Sequence, residues 1–123
     1  MTVERKQLGQ KGESFALNYL ENQGVRTLER NWHCPAGEAD IIVQDCGDLV
    51  FVEVKTRSGY DFYFPEEAVT RAKRRRYESI AAHYLSQHNI ASCHVRFDVI
   101  SVIITGDNQA FLKHHRDAFC CDE

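Results

Sequence analysis

Residues 38–57, EADIIVQDCGDLVFVEVKTR, contain two strongly predicted β-strands joined by a tight turn. The apolar and β-branched runs at 38–44 and 49–57 favour extended structure. The tetrapeptide Asp-Cys-Gly-Asp at 45–48 is typical of a hairpin turn. Residues 49–54 are apolar except for one glutamate, which predicts a strand at the centre of a sheet with both faces covered.

Further elements are predicted on either side of this hairpin. A helix is expected before it, since apolar residues recur at helical spacing from Gly12 to Leu20 and Gly24 follows as a C-terminal cap. The full set is a helix over 4–22, a strand over 25–33, the hairpin, a helix from Pro65 to about 88, a strand over 95–104, and a segment over 109–119 that adds a short edge strand or lies against the body. The order α-β-β-β-α-β indicates one α/β domain over residues 1–123, with a mixed central sheet flanked by helices.

Composition restricts the class of protein. A chain of 123 residues, 43% of them hydrophobic, is long enough for one core and too apolar to be disordered. No window is apolar enough to cross a membrane, and the charged N-terminal residues lack the apolar core of a signal peptide. We therefore expect a cytoplasmic protein with no membrane partner. In that compartment the five cysteines, which have no CxxC spacing, are expected to be free thiols.

The C-terminal pairs His114-His115 and Cys120-Cys121 allow two interpretations. They could ligate zinc, but their spacing is not that of a zinc finger. We therefore interpret this segment as a polar tail.

The net charge of −3 is the average of an uneven distribution. Residues 71–76 read Arg-Ala-Lys-Arg-Arg-Arg, whereas residues 38–53 hold five acidic groups and no basic one. Because binding depends on local fields, a nucleic-acid partner is compatible with this chain. The residues expected to contact it are Arg57, Arg74, Arg75 and Arg76, with a solvated helix face as the alternative for Arg74 and Arg75.

The hairpin register places two acids together. Paired positions sum to 93 for a two- or four-residue loop, which puts Asp40 opposite Glu53 and Glu38 opposite Lys55, while strand alternation puts Glu38 and Asp40 on one face. Like charges at directly opposed positions, about 4.5–5.5 Å apart, destabilise a sheet. A divalent cation, Mg²⁺ or Mn²⁺, is the natural counter-charge because both prefer hard oxygen ligands. A solvated face with cross-strand ion pairs is the alternative.

Two lysines are predicted near these acids. Lys55 shares the strand face of Glu53, where it can hold or help deprotonate a water, or neutralise charge on a phosphate. Lys73 falls inside the apolar stripe of the second helix, so its side chain must either snorkel or point at an acidic cleft. Arg76 flanks the same stripe.

Several blocks of the sequence together resemble the YraN-like family of uncharacterised bacterial proteins. The resemblance runs from about Gly9 to Phe119. It is carried by Gly12-Glu13, Arg30-Asn31-Trp32, Gly37-Glu38-Ala39-Asp40-Ile41-Ile42, Phe51-Val52-Glu53-Val54-Lys55-Thr56-Arg57, Glu67-Ala68-Val69, Lys73 and Arg96-Phe97-Asp98-Val99-Ile100. That family is similar to the restriction-endonuclease-like superfamily, and within it to archaeal Holliday-junction resolvases.

The resemblance implies a role for each residue of the site. Asp40 and Glu53 would be metal ligands, Lys55 the catalytic lysine, and Glu13 an additional acid from the first helix. Lys73 would be the polar residue of the second helix that reaches the site. The sequence departs from the family at His33, where an arginine is usual, and at Tyr63-Phe64-Pro65, which replaces a glycine-containing loop.

Three functions are consistent with the sequence. The first is a metal-dependent endonuclease acting on DNA, in preference to RNA, with branched or junction DNA as a possible substrate. The second is a nucleic-acid-binding module on a nuclease-like fold with little or no catalysis, and the third is an interaction protein with a solvated acidic face. A resolvase would also need a homodimer to cut two strands symmetrically.

Two conspicuous residues have simpler interpretations. Trp32 could stack on a base, but a lone aromatic side chain more often packs within the fold. Asp98 lies between Phe97 and Val99 in a predicted strand and is interpreted as a buried or half-buried acid with its hydrogen bonds satisfied.

Overall fold

The structure is a computed structural model that describes residues 3–59, 70–90, 93–106 and 109–118. Within these ranges, two helices and five strands follow the predicted order, and the segment after the fourth strand forms the fifth. They are α1 (Val3–Asn22), β1 (Arg26–Cys34), β2 (Gly37–Asp45), β3 (Asp48–Ser58), α2 (Arg71–Gln87), β4 (Val95–Ile104) and β5 (Ala110–His115). Neither helix, over its described residues, is long and apolar enough to cross a membrane.

The five strands form one mixed sheet in the order β1-β2-β3-β4-β5. The pair β3–β4 is parallel and the other three pairs are antiparallel. A parallel pair needs a crossover connection, and α2 lies within it. The predicted α/β fold with a mixed sheet is confirmed, β3 is central as predicted, and the segment after β4 forms the edge strand β5.

Each face of β3 packs against a different helix, because side chains alternate along a strand. On one face Val50 and Val52 pack with Ala16 and Leu20 of α1. On the other face Phe51 packs with aromatic and aliphatic side chains of α2, namely Tyr77, Ile80, Ala81 and Tyr84. We call these the α1 face and the α2 face of the sheet. Glu53, between Val52 and Val54 in this part of β3, therefore lies beneath α2 rather than in open solvent.

The second helix begins later than predicted. Thr70 is extended, with φ −67° and ψ 159°, and its side-chain oxygen accepts a hydrogen bond from the Lys73 N–H. It is therefore the N-cap, and the expectation of a continuous helix from Pro65 is wrong. The pattern Pro-Glu-Glu suggested a helix start, whereas the capping hydroxyl of Thr70 sets it. Residues 60–69, including Pro65 and the Tyr63-Phe64-Pro65 departure, lie outside the described residues.

Asp98 is the centre of a buried polar network on β4. Only 1% of its surface is exposed, and its carboxylate accepts hydrogen bonds from Arg96 Nε at 2.9 Å, His114 Nε2 at 2.7 Å and the Asp117 N–H at 2.9 Å. Burial opposes ionisation, but these donors outweigh it and hold the pKa of Asp98 below its ordinary value. The interpretation of Asp98 as a satisfied buried acid is confirmed.

His114 is part of this network and not of a polar tail. Its Nδ1 lies 3.0 Å from the Tyr19 hydroxyl of α1, and its side chain is only 7% exposed. With its two ring nitrogens engaged by Tyr19 and Asp98, His114 is not available as a zinc ligand. Cys120 and Cys121 lie outside the described residues. The network instead fastens the edge strand β5 to β4 and to α1.

Gly12 sets the distance between α1 and the sheet. A Cβ atom at this position would overlap the side chain of Thr56 on β3. Gly9, one turn earlier on α1, has nothing within 4 Å of the equivalent position. Packing against β3 therefore requires a glycine at position 12 but not at position 9.

We expect Gly12→Ala to lower the free energy of unfolding by about 1–3 kcal/mol, the usual effect of overpacking. Gly9→Ala is the matched control and should raise it by up to about 1 kcal/mol, because alanine is the better helix former. Urea denaturation of the two variants and the unsubstituted protein measures both effects. Equal responses at the two positions would contradict the close approach of α1 to Thr56.

Candidate functional site

The pairing of β2 with β3 stops just before the two predicted acids. It runs from Asp45–Asp48 to Ile41–Val52, so the predicted register is confirmed over this length. The expected cross-strand pairs of Asp40 with Glu53 and of Glu38 with Lys55 are not formed. Instead, the Asp40 Oδ2 atom accepts a hydrogen bond of 2.8 Å from the Val54 N–H of β3. A carboxylate thus takes the place of a backbone carbonyl where the strands part.

A local distortion of the β1–β2 hairpin explains this change. Asn31 of β1 has a φ of 52°, and it lies between the pairs Arg30–Ile41 and Trp32–Ala39. Ala39 packs in the cluster with α2, whereas Ile41 packs in the cluster with α1. Strict alternation, from which a shared face for Glu38 and Asp40 was predicted, therefore fails at Asp40. Asparagine tolerates this left-handed conformation better than most residues.

Glu53 lies on the α2 face and forms an ion pair with Lys73. The Lys73 Nζ atom is 2.8 Å from Glu53 Oε2, and the two side chains are 17% and 15% exposed. At this distance the Lys73 ammonium group engages the Oε2 atom and neutralises the charge of the Glu53 carboxylate. Lys73, expected to snorkel or to point at an acidic cleft, contacts the acid. Lys55 follows on the same face of β3 and pairs through its backbone with Ser101 of β4.

Glu13 approaches from α1. Its Oε1 atom is buried and has no hydrogen-bond partner within the described part of the chain, while the side chain of Asn31 donates a hydrogen bond to its carboxyl group. Burial raises the pKa of Glu13 above its ordinary value, against the lowering effects of Asn31 and of Arg30. Asn31 was not identified from the sequence as a site residue. Its only signal was a residue that favours left-handed backbone inside a predicted strand.

Three other acidic groups influence the pKa of Asp40. Burial, together with the negative charges of Glu13, Glu53 and Glu38, raises the pKa of Asp40 to about 6 against the opposing hydrogen bond from the Val54 N–H. A carboxyl with this pKa exchanges a proton near neutral pH, which an ordinary aspartate does not. The site therefore carries excess negative charge in a place with little access to water.

The donor chemistry fits a hard cation, although the side chains are not assembled around one. Carboxylate oxygens are the ligands that Mg²⁺ and Mn²⁺ prefer, and among the described residues the buried Glu13 Oε1 atom has no hydrogen-bond donor. Within residues 3–59, 70–90, 93–106 and 109–118, however, no three acidic, histidine or cysteine side chains lie close enough together to hold a metal ion. Lys73 neutralises Glu53 instead.

The basic residues fall into two groups. Arg75 and Arg76 of α2 are exposed and Arg74 is half-buried. Arg57 is at the other end of β3 from the hairpin turn, where it lines a cavity with Glu13. Trp32 packs edge-to-face on Tyr84 at 5.1 Å between ring centroids, which supports the packing interpretation over base stacking. His33, the departure from the family pattern, lies 3.7 Å from Glu38.

Comparison with known proteins gives consistent results. The model of a family described as "Uncharacterised protein family UPF0102" matches residues 12–102, which include Glu13, Asp40, Glu53, Lys55 and Lys73. A UPF0102 protein of Beutenbergia cavernae is 45% identical over 109 residues, covering 89% of this chain and 92% of the relative. A UPF0102 protein of Syntrophotalea carbinolica is 43% identical over 122 residues, covering 99% and 98% of the two chains.

The raised pKa of Asp40 has a consequence for stability. Its pKa is about 6 in the folded protein and 3.8 as its ordinary value, so the folded state binds the proton more tightly. Unfolding free energy is therefore lost as the pH rises from about 4 to about 6. Asp40→Asn keeps an acceptor for the Val54 N–H and removes the charge. We expect it to stabilise the metal-free protein at pH 7 by about 1–3 kcal/mol and to have little effect at pH 4.

Urea denaturation of both proteins in EDTA at the two pH values measures this difference. Asp45→Asn is a matched control, because hydrogen bonding to Arg96 lowers the pKa of Asp45 and its substitution should destabilise at pH 7. If the Asp40→Asn protein is less stable than the unsubstituted one at pH 7, ionisation of Asp40 does not destabilise the folded state.

Proposed function

The chain belongs to the uncharacterised protein family UPF0102, and from this premise we propose that it is a metal-dependent nuclease that hydrolyses phosphodiester bonds in DNA. One observation carries the proposal: burial raises the pKa of Asp40, and the charges of Glu13 on α1 and Glu53 on β3 raise it further, so carboxylates from three different elements are near enough to affect one group. Folding has placed charge where it costs stability, which is typical of a functional site. The resemblance to restriction-endonuclease-like enzymes supports the same activity.

Asp40 and Glu53, with Glu13 as a third carboxylate, would hold Mg²⁺ or Mn²⁺. The cation would act as a Lewis acid on a phosphoryl oxygen. Small changes of side-chain rotamer would be needed, since the three carboxylates do not yet converge. Lys73 balances the charge of Glu53 in the metal-free protein, and on ligand binding its ammonium group would be free to turn towards a phosphate.

Lys55 is the proposed catalytic base or phosphate contact. It lies one alternation beyond Glu53 on the α2 face, so it faces the same side of the sheet as Lys73. From there it would take the proton of the attacking water or neutralise charge on the phosphate as the P–O bond breaks. DNA is the proposed substrate in preference to RNA, and cleavage of a branched junction would require a homodimer.

We expect cleavage of DNA with Mg²⁺ or Mn²⁺ and none in EDTA. Lys55→Ala should slow cleavage at least tenfold, because positioned proton-transfer groups typically contribute about 10²–10⁴ in rate. Lys11→Ala, at an exposed position of α1, is the matched control and should leave the rate unchanged. The assay uses linear duplex, single-stranded and four-way-junction DNA. Equal rates for Lys55→Ala and the unsubstituted protein would eliminate this mechanism.

A second candidate is a nucleic-acid-binding module without catalysis. It is favoured by the Lys73–Glu53 ion pair, which occupies an oxygen that a metal ion would need. In this case Arg74, Arg75 and Arg76, together with Arg57, would hold the phosphate backbone with no chemistry to follow.

The contribution of the basic helix can be measured in either case. Replacing Arg74, Arg75 and Arg76 with Ala should lower the slope of log affinity against log salt by about 0.9 for each phosphate of duplex DNA that is no longer neutralised. Arg26→Ala is the control. Arg26 is exposed and lies on the edge strand β1, which two strands separate from β4. An unchanged slope in the triple variant would identify the arginines as a solvated face.

A further inference from the structure

Asn31 of β1 lies between two acids of the candidate site. Its neighbours along β1 pair with Ile41 and Ala39, so Asn31 lies across from Asp40 of β2. Its side chain donates a hydrogen bond to the carboxyl group of Glu13 on α1. Asn31 therefore connects the strand that carries one acid with the helix that carries another.

The left-handed backbone of Asn31 makes this connection possible. Regular alternation would put residues 30 and 32 on one face of the sheet and residue 31 on the other. Instead, the Arg30 guanidinium group donates to the Ser14 Oγ atom of α1 at 3.0 Å, and Trp32 packs on Tyr84 of α2. The φ of 52° at Asn31 thus allows two successive side chains, those of Arg30 and Asn31, to reach α1.

Packing does not account for an asparagine at this position. Asn31 is exposed, and its side chain belongs to neither hydrophobic cluster of the sheet. A left-handed backbone favours asparagine over most residues, but glycine adopts it at least as readily. The property that glycine lacks is the side-chain amide, which donates hydrogen bonds. The amide of Asn31 therefore needs a reason of its own, and Glu13 is the group that it contacts.

We propose that Asn31 is a positioning residue of the metal site, which holds the Glu13 carboxyl group near Asp40 and leaves its Oε1 atom open to a divalent cation. The inference rests on the proposed function and adds β1 to the elements that build the site. Among the described residues, none donates a hydrogen bond to this buried Oε1 atom. A glutamate ligand loses rotamer freedom when it binds a cation, and a hydrogen bond formed beforehand removes part of that cost.

Binding of Mn²⁺ alone, measured at pH 7 without DNA from the EPR signal of the free ion, tests this role. Asn31→Gly keeps the left-handed backbone and removes the amide. It should weaken Mn²⁺ binding about 10–100-fold, the usual contribution of a group that hydrogen-bonds to a metal ligand. Its melting temperature in EDTA should stay close to that of the unsubstituted protein, because the Asn31 side chain is exposed.

Asn89→Gly is the matched control for this substitution. Asn89 is also exposed and has a φ of 54°, but it follows α2 and contacts none of the acids of the site in the described structure. The same loss of an amide at a left-handed position should therefore leave the affinity for Mn²⁺ unchanged.

A second substitution separates positioning from a general structural role. Glu13→Gln removes the proposed ligand, so in that background Asn31→Gly should have little further effect on Mn²⁺ affinity, because the two residues act through one contact. Melting temperatures in EDTA at pH 7 test the contact without metal. Asn31→Asp places a carboxylate against Glu13 and should lower the melting temperature, but less in the Glu13→Gln background, where the new amide can donate to the aspartate. Equal shifts in the two backgrounds would overturn the proposal.

The possible results distinguish this inference from the proposed function. Equal Mn²⁺ affinity of Asn31→Gly and the unsubstituted protein would overturn the positioning role, even if DNA is cleaved. A loss of Mn²⁺ affinity that depends on Glu13, without cleavage of DNA, would support the positioning role and refute the nuclease. If the unsubstituted protein binds no Mn²⁺, both the metal site and this role of Asn31 are refuted.

Discussion

The hydrogen bond from the Val54 N–H to the Asp40 carboxylate replaces a backbone hydrogen bond between β2 and β3. The arrangement of the candidate site depends on this replacement. A regular ladder would pair backbone with backbone and project Asp40 to one face of the sheet. With the side chain in the plane of the sheet, its carboxylate can be influenced by Glu53 on the α2 face and by Glu13 on α1. The distortion at Asn31 on the neighbouring strand accompanies the change of face between Ala39 and Ile41.

Two aspartates of this sheet, the buried Asp98 and the half-buried Asp40, have opposite surroundings. Asp98 receives donors from Arg96, His114 and a backbone N–H, so its pKa is lowered in spite of burial. Asp40 receives one backbone donor and is surrounded by acids, so its pKa is raised. The first arrangement stabilises the ionised carboxylate and fastens β5, as a structural acid does. The second leaves charge only partly compensated, which is the arrangement that a cation or a proton can relieve.

In the proposed enzyme, the two faces of the sheet carry different functional groups. On the α2 face, Lys73 neutralises Glu53, and Lys55 follows on the same strand face. On the α1 face, Gly12 lets the helix approach Thr56 closely. In the proposed enzyme, a DNA strand passing the end of β3 would meet the carboxylates that lie where β2 and β3 separate.

The sequence alone determined the order of the elements, the central position of β3 and the register of the hairpin, because these follow from apolar periodicity and from the length of one turn. It also singled out Asp40, Glu53 and Lys73, since charge within an apolar pattern needs a partner. The predicted start of α2 was wrong. The Pro-Glu-Glu pattern favoured a start at Pro65, whereas the Thr70 side chain accepts a hydrogen bond from the Lys73 N–H and caps the helix there. The contact of Asp40 with Val54, the Asp98–His114–Tyr19 network and the contact of Asn31 with Glu13 depended on the tertiary structure. Each joins residues that are more than a dozen positions apart or depends on a backbone distortion, and neither strand nor helix periodicity encodes such contacts.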